Sequence, residues 1–153
     1  MTLSIVPYEP RHAAAWKQLN LDWLHEGGFA VEAKDHKVLD HPDTAIIAPG
    51  GYIFMAELDG VAVGCCALMA MGDGRFEVAK MTITPAARGQ GASRRLLEAC
   101  EAAARAAGAH RLYLESSSTL KTARALYRSF GFVDLPPRPT PYARADVFME
   151  KTL

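Results

Sequence analysis

The pattern of apolar and polar positions predicts seven strands and four helices in the order β-α-α-β-β-β-α-β-α-β-β. The strands are expected at residues 2–6, 52–58, 61–71, 75–84 and 110–115, from residue 132, and at 145–151. The helices are expected at 11–25, 32–39, between the glycine turn at 88–93 and Gly108, and at 119–130. Asp59-Gly60 and Gly72-Asp73-Gly74 indicate hairpin turns, so residues 52–84 should form an antiparallel meander.

The last meander strand is joined to the next strand by a helix, so those two strands should be parallel. That helix has an apolar stripe at i, i+3 and i+4 spacing through Leu96, Leu97 and Cys100. We therefore predict an α/β (α+β) fold with a mixed, mostly antiparallel central sheet flanked by helices. A length of 153 residues fits a single domain, residues 1–153.

The sequence between that strand and that helix, Arg88-Gly89-Gln90-Gly91-Ala92-Ser93, predicts an anion-binding turn. Two glycines without a Cβ let the backbone approach a ligand closely. The first N–H groups of the following helix lack partners within the helix and lie at the positive end of its dipole. Pyrophosphate is the usual occupant of such a site. The alternative is an ordinary strand–helix turn that binds nothing.

Two nucleotide-binding motifs are disfavoured at this turn. A P-loop requires Gly-Lys followed by Ser or Thr, whereas Gly91 is followed by Ala92 and Ser93. A dinucleotide fingerprint requires a small residue where this chain has Arg94, and Glu115 meets its acidic requirement only loosely. Neither motif explains the turn.

Two motifs resemble those of the GCN5-related N-acetyltransferases. The turn resembles their Arg/Gln-x-x-Gly-x-Gly/Ala motif, with Arg88 and Gly91 matching and Ser93 standing where Gly or Ala is usual. Further on, Ala123-x-x-Leu126-Tyr127-x-x-x-Gly131-Phe132 resembles their Ala-x-x-Leu-Tyr-x-x-x-Gly-Phe signature. The order of elements is also similar, and the resemblance covers residues 52–133 well and the two ends loosely.

The resemblance implies that acetyl-CoA is the cosubstrate and that its acetyl group passes directly to a primary amine. It also implies coenzyme contacts along the last meander strand, at the turn and helix start, and at two later positions: Met81, Thr82, Ile83, Arg88, Gly89, Gln90, Gly91, Ala92, Ser93, Arg94, Ser117 and Tyr127. The alternatives are core packing for the strand residues, solvated charge for the arginines and a helix cap for Ser117.

The resemblance implies two catalytic residues. Tyr127 is expected to donate a proton to the departing thiolate, with a core aromatic as the alternative. Glu77 is expected to take a proton from the amine, directly or through water. A strand carboxylate paired with Arg75 or Lys80 is the alternative, as is water acting as the base.

The composition restricts other functions. Lys+Arg and Asp+Glu both number 17, which leaves no electrostatic footprint for nucleic-acid binding. No signal peptide or membrane-length apolar run is evident, and Cys65, Cys66 and Cys100 show no paired spacing, so a cytoplasmic protein with free cysteines is expected. The five-residue spacing of Asp35-His36 and Asp40-His41 disfavours a metal site.

The acceptor and the assembly are left open by the sequence. Residues 22–43 contain six acidic residues against two lysines, Lys34 and Lys37: Asp22, Glu26, Glu32, Asp35, Asp40 and Asp43. An acidic surface suits a cationic amine, although solvent-facing charge is the alternative. Trp23, Phe29 and Tyr142 are candidate aromatic walls. A non-catalytic acyl-CoA-binding sensor is the alternative function, and both a monomer and a homodimer are compatible.

Overall fold

The computed structural model describes residues 2–153. Its strands are β1 (Leu3–Pro7), β2 (Tyr52–Leu58), β3 (Val61–Gly72), β4 (Arg75–Ile83), β5 (Arg111–Ser116), β6 (Val133–Asp134) and β7 (Val147–Thr152). Its α-helices are α1 (Ala13–Glu26), α2 (Ala33–Asp40), α3 (Ala92–Ala106) and α4 (Lys121–Ser129). Short 3₁₀ turns lie at Pro10–His12 and Pro85–Ala87, and a π-helical turn lies at Asp43–Ile47.

The strands form one mixed sheet in the order β1-β2-β3-β4-β5-β7-β6. All neighbours pair antiparallel except β4 and β5, which are parallel because α3 carries the chain back across the sheet. The predicted order of elements, the meander and the parallel pair are therefore confirmed.

The helices cover both faces of the sheet. On one face, Leu96 and Leu97 of α3 and Tyr127 of α4 belong to the larger buried cluster. On the other face, Trp16 of α1 and Val38 of α2 pack in the second cluster. Adjacent cysteines of β3 mark the two faces, since Cys65 lies in the second cluster and Cys66 in the first, both fully buried. Alternation along a strand sends neighbouring side chains to opposite faces.

Three local predictions were wrong. No helix was expected between the helix at 32–39 and the strand at 52–58, but the chain forms the π-helical turn there, and its Ile46 is buried with Val38 and Leu39 in the second cluster. Pro7 was expected to follow β1 but lies within it, which is tolerated because β1 is an edge strand.

The third correction concerns the start of α4. The helix was expected to begin at residue 119, with a cap as the alternative role of Ser117, but its N-cap is Leu120 and no side chain caps it. Ser118 instead donates its N–H and its hydroxyl to the Asp146 carboxylate, both at 2.7 Å. The turn before α4 is therefore tied to the segment leading into β7.

Among residues 2–153, no helix combines the length and the apolar content that crossing a membrane requires.

Candidate active site

A cleft opens where β4 and β5 part. Their parallel pairing runs from Arg75 opposite Arg111 to Val78 opposite Leu114 and stops there. Beyond this point β4 continues beside β3, while β5 continues beside β7, so the facing edges of both strands are left without a strand partner. The cleft encloses about 890 Å³ including its open mouth, and its lining comes from β4, β5, α1, α2, α4 and the segment before β7.

A β-bulge in β4 shapes one wall of the cleft. Cys65 pairs with Thr82 and Ala67 with Ala79, so Lys80 and Met81 together face the single residue between them on β3. Lys80 has a φ of 57°, in the left-handed region that residues other than glycine rarely occupy. A bulge bends its strand and redirects side chains. Here the bulge lets both Lys80 and Met81 line the cleft.

The glycine turn forms a row of free backbone donors below the cleft. Gly89 and Gly91 have φ values of 80° and 79°, and Gly91 is the N-cap of α3. The first bond of the helix runs from Arg95 N–H to Gly91 C=O at 3.1 Å. Within residues 2–153, the N–H groups of residues 89–94 donate to no protein acceptor. Successive N–H groups in such a turn, at the positive end of a helix, form an anion-binding concavity.

The three arginines of this region contact protein groups. Arg88 forms a double hydrogen bond with the Glu26 carboxylate of α1, at 2.8 and 2.5 Å. Arg94 donates to Ser129 Oγ at 2.7 Å, which ties α3 to α4, and Arg95 donates to the Leu3 carbonyl at 2.7 Å. The charge of Arg88 is therefore neutralised by Glu26, whereas Arg94 and Arg95 contact neutral groups and keep their positive charges near the turn.

Glu77 of β4 lines the cleft beside the last paired residues of β4 and β5. Burial and the neighbouring Glu115 carboxylate raise its pKa to about 7, although Lys34 and Lys80 act in the opposite direction. Glu77 forms no ion pair with Arg75 or Lys80, because Lys80 binds Asp35 instead. The alternative of a salt-bridged strand carboxylate is therefore wrong. Half of the Glu77 carboxyl groups are ionised near neutral pH, where a general base is most effective.

Tyr127 lies between the core and the cleft. It is 9% exposed, its ring contacts Phe132 edge-on at a centroid distance of 6.0 Å, and it lines the cleft. Burial, and to a lesser degree Cys66, raise the pKa of its hydroxyl, so the group stays protonated. The ring therefore packs in the core, as the alternative expected, and the residue also borders the cleft.

Ser117 lies at the mouth of the same cleft, 7% exposed. Its hydroxyl is 2.9 Å from Thr119 Oγ1 and accepts weakly from Thr119 N–H at 3.4 Å. Met81 lines the cleft as well, whereas Thr82 and Ile83 line a shallower depression that continues toward Arg88. Of the predicted coenzyme residues, Met81, Ser117 and Tyr127 line the cleft and Thr82, Ile83 and Arg88 line the depression, whereas residues 89–94 line neither.

A buried ion cluster at the other end of the cleft was missed by the sequence reasoning. Asp35 of α2 is fully buried and accepts hydrogen bonds from Lys80, from Arg144 at 2.7 and 3.0 Å, and from Glu32 N–H at 2.9 Å. Burial alone would raise the pKa of Asp35, but the bonds from Arg144 and Lys80 outweigh it and hold that pKa well below its usual value. The only early signal was Lys80, a charged residue within an otherwise apolar part of β4.

The acidic residues of the 22–43 region do not form a free acidic surface. Glu26 pairs with Arg88, Glu32 and Asp35 with Arg144, and Asp40 with Lys17. The carboxylates that line the cleft are Glu77 and Glu115. Of the candidate aromatic walls, Trp23 and Tyr142 line the cleft, and Phe29 stacks on Trp23 at a centroid distance of 5.4 Å.

No group of three or more His, Cys, Asp or Glu side chains suited to a metal ion occurs among residues 2–153. In the same range Cys65, Cys66 and Cys100 are all free and buried. Burial raises the pKa of Cys65 to about 12, so this thiol stays protonated and unreactive.

Comparison with known proteins identifies the class. The sequence profile of the acetyltransferase (GNAT) family matches residues 8–132. A relative called IAA acetyltransferase from Azospirillum brasilense is 42% identical over 131 residues, which is 82% of either chain. The chain therefore belongs to the acetyltransferase (GNAT) family, and the predicted family and acetyltransferase class are confirmed.

Solved structures agree on the fold. An acetyltransferase of the GNAT family from Staphylococcus aureus Mu50 superposes with a TM-score of 0.89 over 99% of both chains, at 16% identity. The PaiA N-acetyltransferase of Thermoplasma acidophilum, solved in complex with coenzyme A, superposes with a TM-score of 0.78 over 100% of both chains, at 14% identity. At these identities the likeness establishes the shared fold.

Proposed function

We propose that this protein transfers the acetyl group of acetyl-CoA directly to a primary amine of a small molecule or peptide. The observation that carries the proposal is the opening between β4 and β5. Along the chain, β4 runs from the cleft lined by Glu77 and Tyr127, past a second depression lined by Ile83 and Arg88, to the free N–H groups of residues 89–94.

In this proposal the turn binds the coenzyme pyrophosphate through the backbone. The N–H groups of residues 89–94 need acceptors, and a pyrophosphate supplies several oxygen atoms. The Thermoplasma protein, which shares the fold, was solved in complex with coenzyme A, and this supports coenzyme A as the ligand. The pantetheine arm then lies along Met81, Thr82 and Ile83, on the β4 edge that lacks a strand partner. Ser117 lies on the opposite side of the cleft and borders the same path.

Glu77 is proposed as the general base. An amine attacks a thioester only when neutral, so its ammonium proton must leave first. A carboxylate with a pKa of about 7 accepts that proton near neutral pH, directly or through water. The nitrogen then bonds to the thioester carbon, and backbone N–H groups of β4 stabilise the charge that develops on the carbonyl oxygen.

Tyr127 is proposed as the general acid. When the tetrahedral intermediate collapses, the carbon–sulfur bond breaks and the sulfur leaves as a thiolate. Because burial keeps the Tyr127 hydroxyl protonated, it is a proton donor at the place where the sulfur departs. The nitrogen, which gains a positive charge on attack, loses its second excess proton through water to the Tyr127 phenolate, and Glu77 releases its proton to solvent. The products are a neutral N-acetylated amine and free coenzyme A.

The acceptor enters as a cationic ammonium in this proposal. The attraction comes from Glu77 and Glu115 inside the cleft, because the carboxylates of residues 22–43 are largely paired with cationic side chains. Glu115 is held by hydrogen bonds from Tyr113 Oη at 2.9 Å and from Thr140 Oγ1. Trp23 and Tyr142 supply apolar walls for the body of the acceptor.

We also propose that residues 1–153 act as one domain, in the cytoplasm. One sheet takes strands from both ends of the chain, which supports a single domain, and the free cysteines fit a reducing compartment. The scheme holds for a monomer and for a homodimer, since one chain supplies the whole cleft.

A screen of primary amines and peptides with acetyl-CoA tests the proposal, with released thiol as the readout. We expect thiol release that depends on both the protein and the amine. Acetyl-CoA binding without turnover on any amine would instead support a non-catalytic acyl-CoA sensor.

A further inference from the structure

The acceptor end of the cleft has a basic wall, formed by Lys34, Lys80 and Arg144. These residues come from α2, from the β4 bulge and from the segment before β7, and all three line the cleft. They surround the ring of Tyr142, with Lys34 Nζ at 5.6 Å, Lys80 Nζ at 4.6 Å and Arg144 Cζ at 4.4 Å from its centroid. Such cation–π contacts hold the cationic groups and the aromatic ring together.

The charges of this wall do not cancel. Asp35 binds both Lys80 and Arg144, and Glu32 binds Arg144 at 3.1 Å, so two carboxylates neutralise two cations. Lys34 forms no salt bridge with any carboxylate of residues 2–153. The wall therefore keeps one positive charge of its own, on a partly buried side chain at the cleft.

The carboxylates of the cleft belong to a different wall. Glu77 and Glu115 lie on β4 and β5, and both line the same cleft as Lys34. Because Lys34 and Glu77 line one cleft, a single ligand bound there borders both charges. A ligand that satisfies both walls has a positive and a negative end.

On this basis, and resting on the proposed acetyl transfer, we propose that the acceptor is an amine that also has a carboxylate, as in an amino acid. Its ammonium faces Glu77 and Glu115, and its carboxylate binds Lys34 at the basic wall. One unpaired positive charge matches one carboxylate, whereas a phosphate would bring up to two negative charges. Trp23, Leu24 and Met69 give the remaining surface an apolar character, which suits an apolar side chain on the acceptor.

The test compares each α-amino acid that has a primary amine with its own carboxamide. The two differ in the carboxylate but also in amine basicity, so the useful quantity is the acid-to-amide ratio of kcat/KM in each protein. Lys34→Gln should lower this ratio about tenfold or more relative to the wild type, since hydrogen bonds to charged groups are worth that much. Lys37→Gln is the matched control, because Lys37 is on the same helix but exposed and outside the cleft. Its ratio should be unchanged.

Charge reversal gives a second, independent readout. Lys34→Glu should disfavour amino acids further and raise the relative use of carboxamides. An acid-to-amide ratio that is the same in the wild type, Lys34→Gln and Lys34→Glu overturns the inference, as does acetylation of amines without any use of amino acids. In both cases the acetyltransferase proposal survives. If no amine of any kind gives thiol release, the proposed function is overturned, and the inference is overturned with it.

Discussion

The two parts of the proposed site are built in different ways. At the part proposed to bind the coenzyme, six consecutive residues, 89–94, present free backbone N–H groups. At the acceptor end, the key contact joins Asp35 to Arg144, which are 109 positions apart in the sequence. The first part is local and made of backbone, whereas the second is assembled from side chains on separate elements.

This difference determines what a carboxylate does at the acceptor end. Asp35 has two cationic partners and a backbone donor, so its pKa is held low and it serves as a fixed charge. Glu77 lies in the same region, yet burial and Glu115 raise its pKa to about 7. The pKa values of the two carboxylates differ partly because Lys80 forms its ion pair with Asp35 and not with Glu77. A carboxylate that stays ionised, such as Asp35, is suited to stabilising the fold, whereas one that titrates near neutral pH, such as Glu77, is suited to proton transfer.

The largest expected effect is on the rate of the chemical step, the proposed acetyl transfer from coenzyme to acceptor. Tyr127→Phe keeps the ring against Phe132 and removes only the hydroxyl. Single-turnover acetylation should fall about 10²- to 10⁴-fold, the usual value of general acid catalysis, while acetyl-CoA affinity stays the same.

Tyr52→Phe is the control for that variant, because Tyr52 lies on β2 outside the cleft and is 37% exposed. Its single-turnover rate should match that of the wild type. Full single-turnover activity in Tyr127→Phe would assign the hydroxyl a structural role and leave solvent as the acid.

The next effect is on stability and concerns the acceptor end. Asp35→Asn leaves the cations of Lys80 and Arg144 without their shared buried partner, so the free energy of unfolding should fall by about 3–5 kcal/mol. Asp40→Asn, on the same helix, breaks an exposed pair with Lys17 and should leave the free energy of unfolding nearly unchanged. Urea unfolding measures both. Equal losses in the two variants would show that the Asp35 cluster has no special weight.

A smaller effect is expected on donor binding at the coenzyme end. Gly91→Glu places a carboxylate beside the free N–H groups and should weaken acetyl-CoA binding by at least about tenfold, measured by calorimetry. Gly108→Glu is a matched control at the far end of α3, since both glycines have a φ of 79° and open space where a Cβ would lie. The backbone strain is then equal, and only Gly91→Glu should lose affinity. Similar affinities in both variants would rule out the turn as the pyrophosphate site.

The smallest effect is a shift in a pH profile. Glu77 acts as a base only when ionised, so kcat/KM of the wild type should rise with pH through a midpoint near 7. Glu115→Gln removes a negative charge that raises the pKa of Glu77, so this midpoint should move to lower pH. Glu77→Gln should lack the transition altogether. A profile that is the same in all three proteins would remove Glu77 from the mechanism.

Much of the fold could be predicted because its signals are local. Asp59-Gly60 sets a hairpin whatever the rest of the chain does, and its Asp59 has the positive φ that such a turn requires. The stripe of Leu96, Leu97 and Cys100 marks the buried face of α3 in the same way. The π-helical turn at Asp43–Ile47 was not predictable, since burial of Ile46 between distant elements stabilises it.

The candidate site shows the same difference between features set by local sequence and features set by contacts between distant elements. By itself, the sequence determined the backbone donors at 89–94, the position of Tyr127 on its helix and the parallel crossing that opens the cleft, because each depends on residues close together in the chain. Only the tertiary structure decided that Asp35 is a buried counter-ion and that, among residues 2–153, neither Glu77 nor Lys34 forms a salt bridge. Those properties depend on which charges meet across the fold, and no spacing along the chain encodes the distance between α2, the β4 bulge and Arg144.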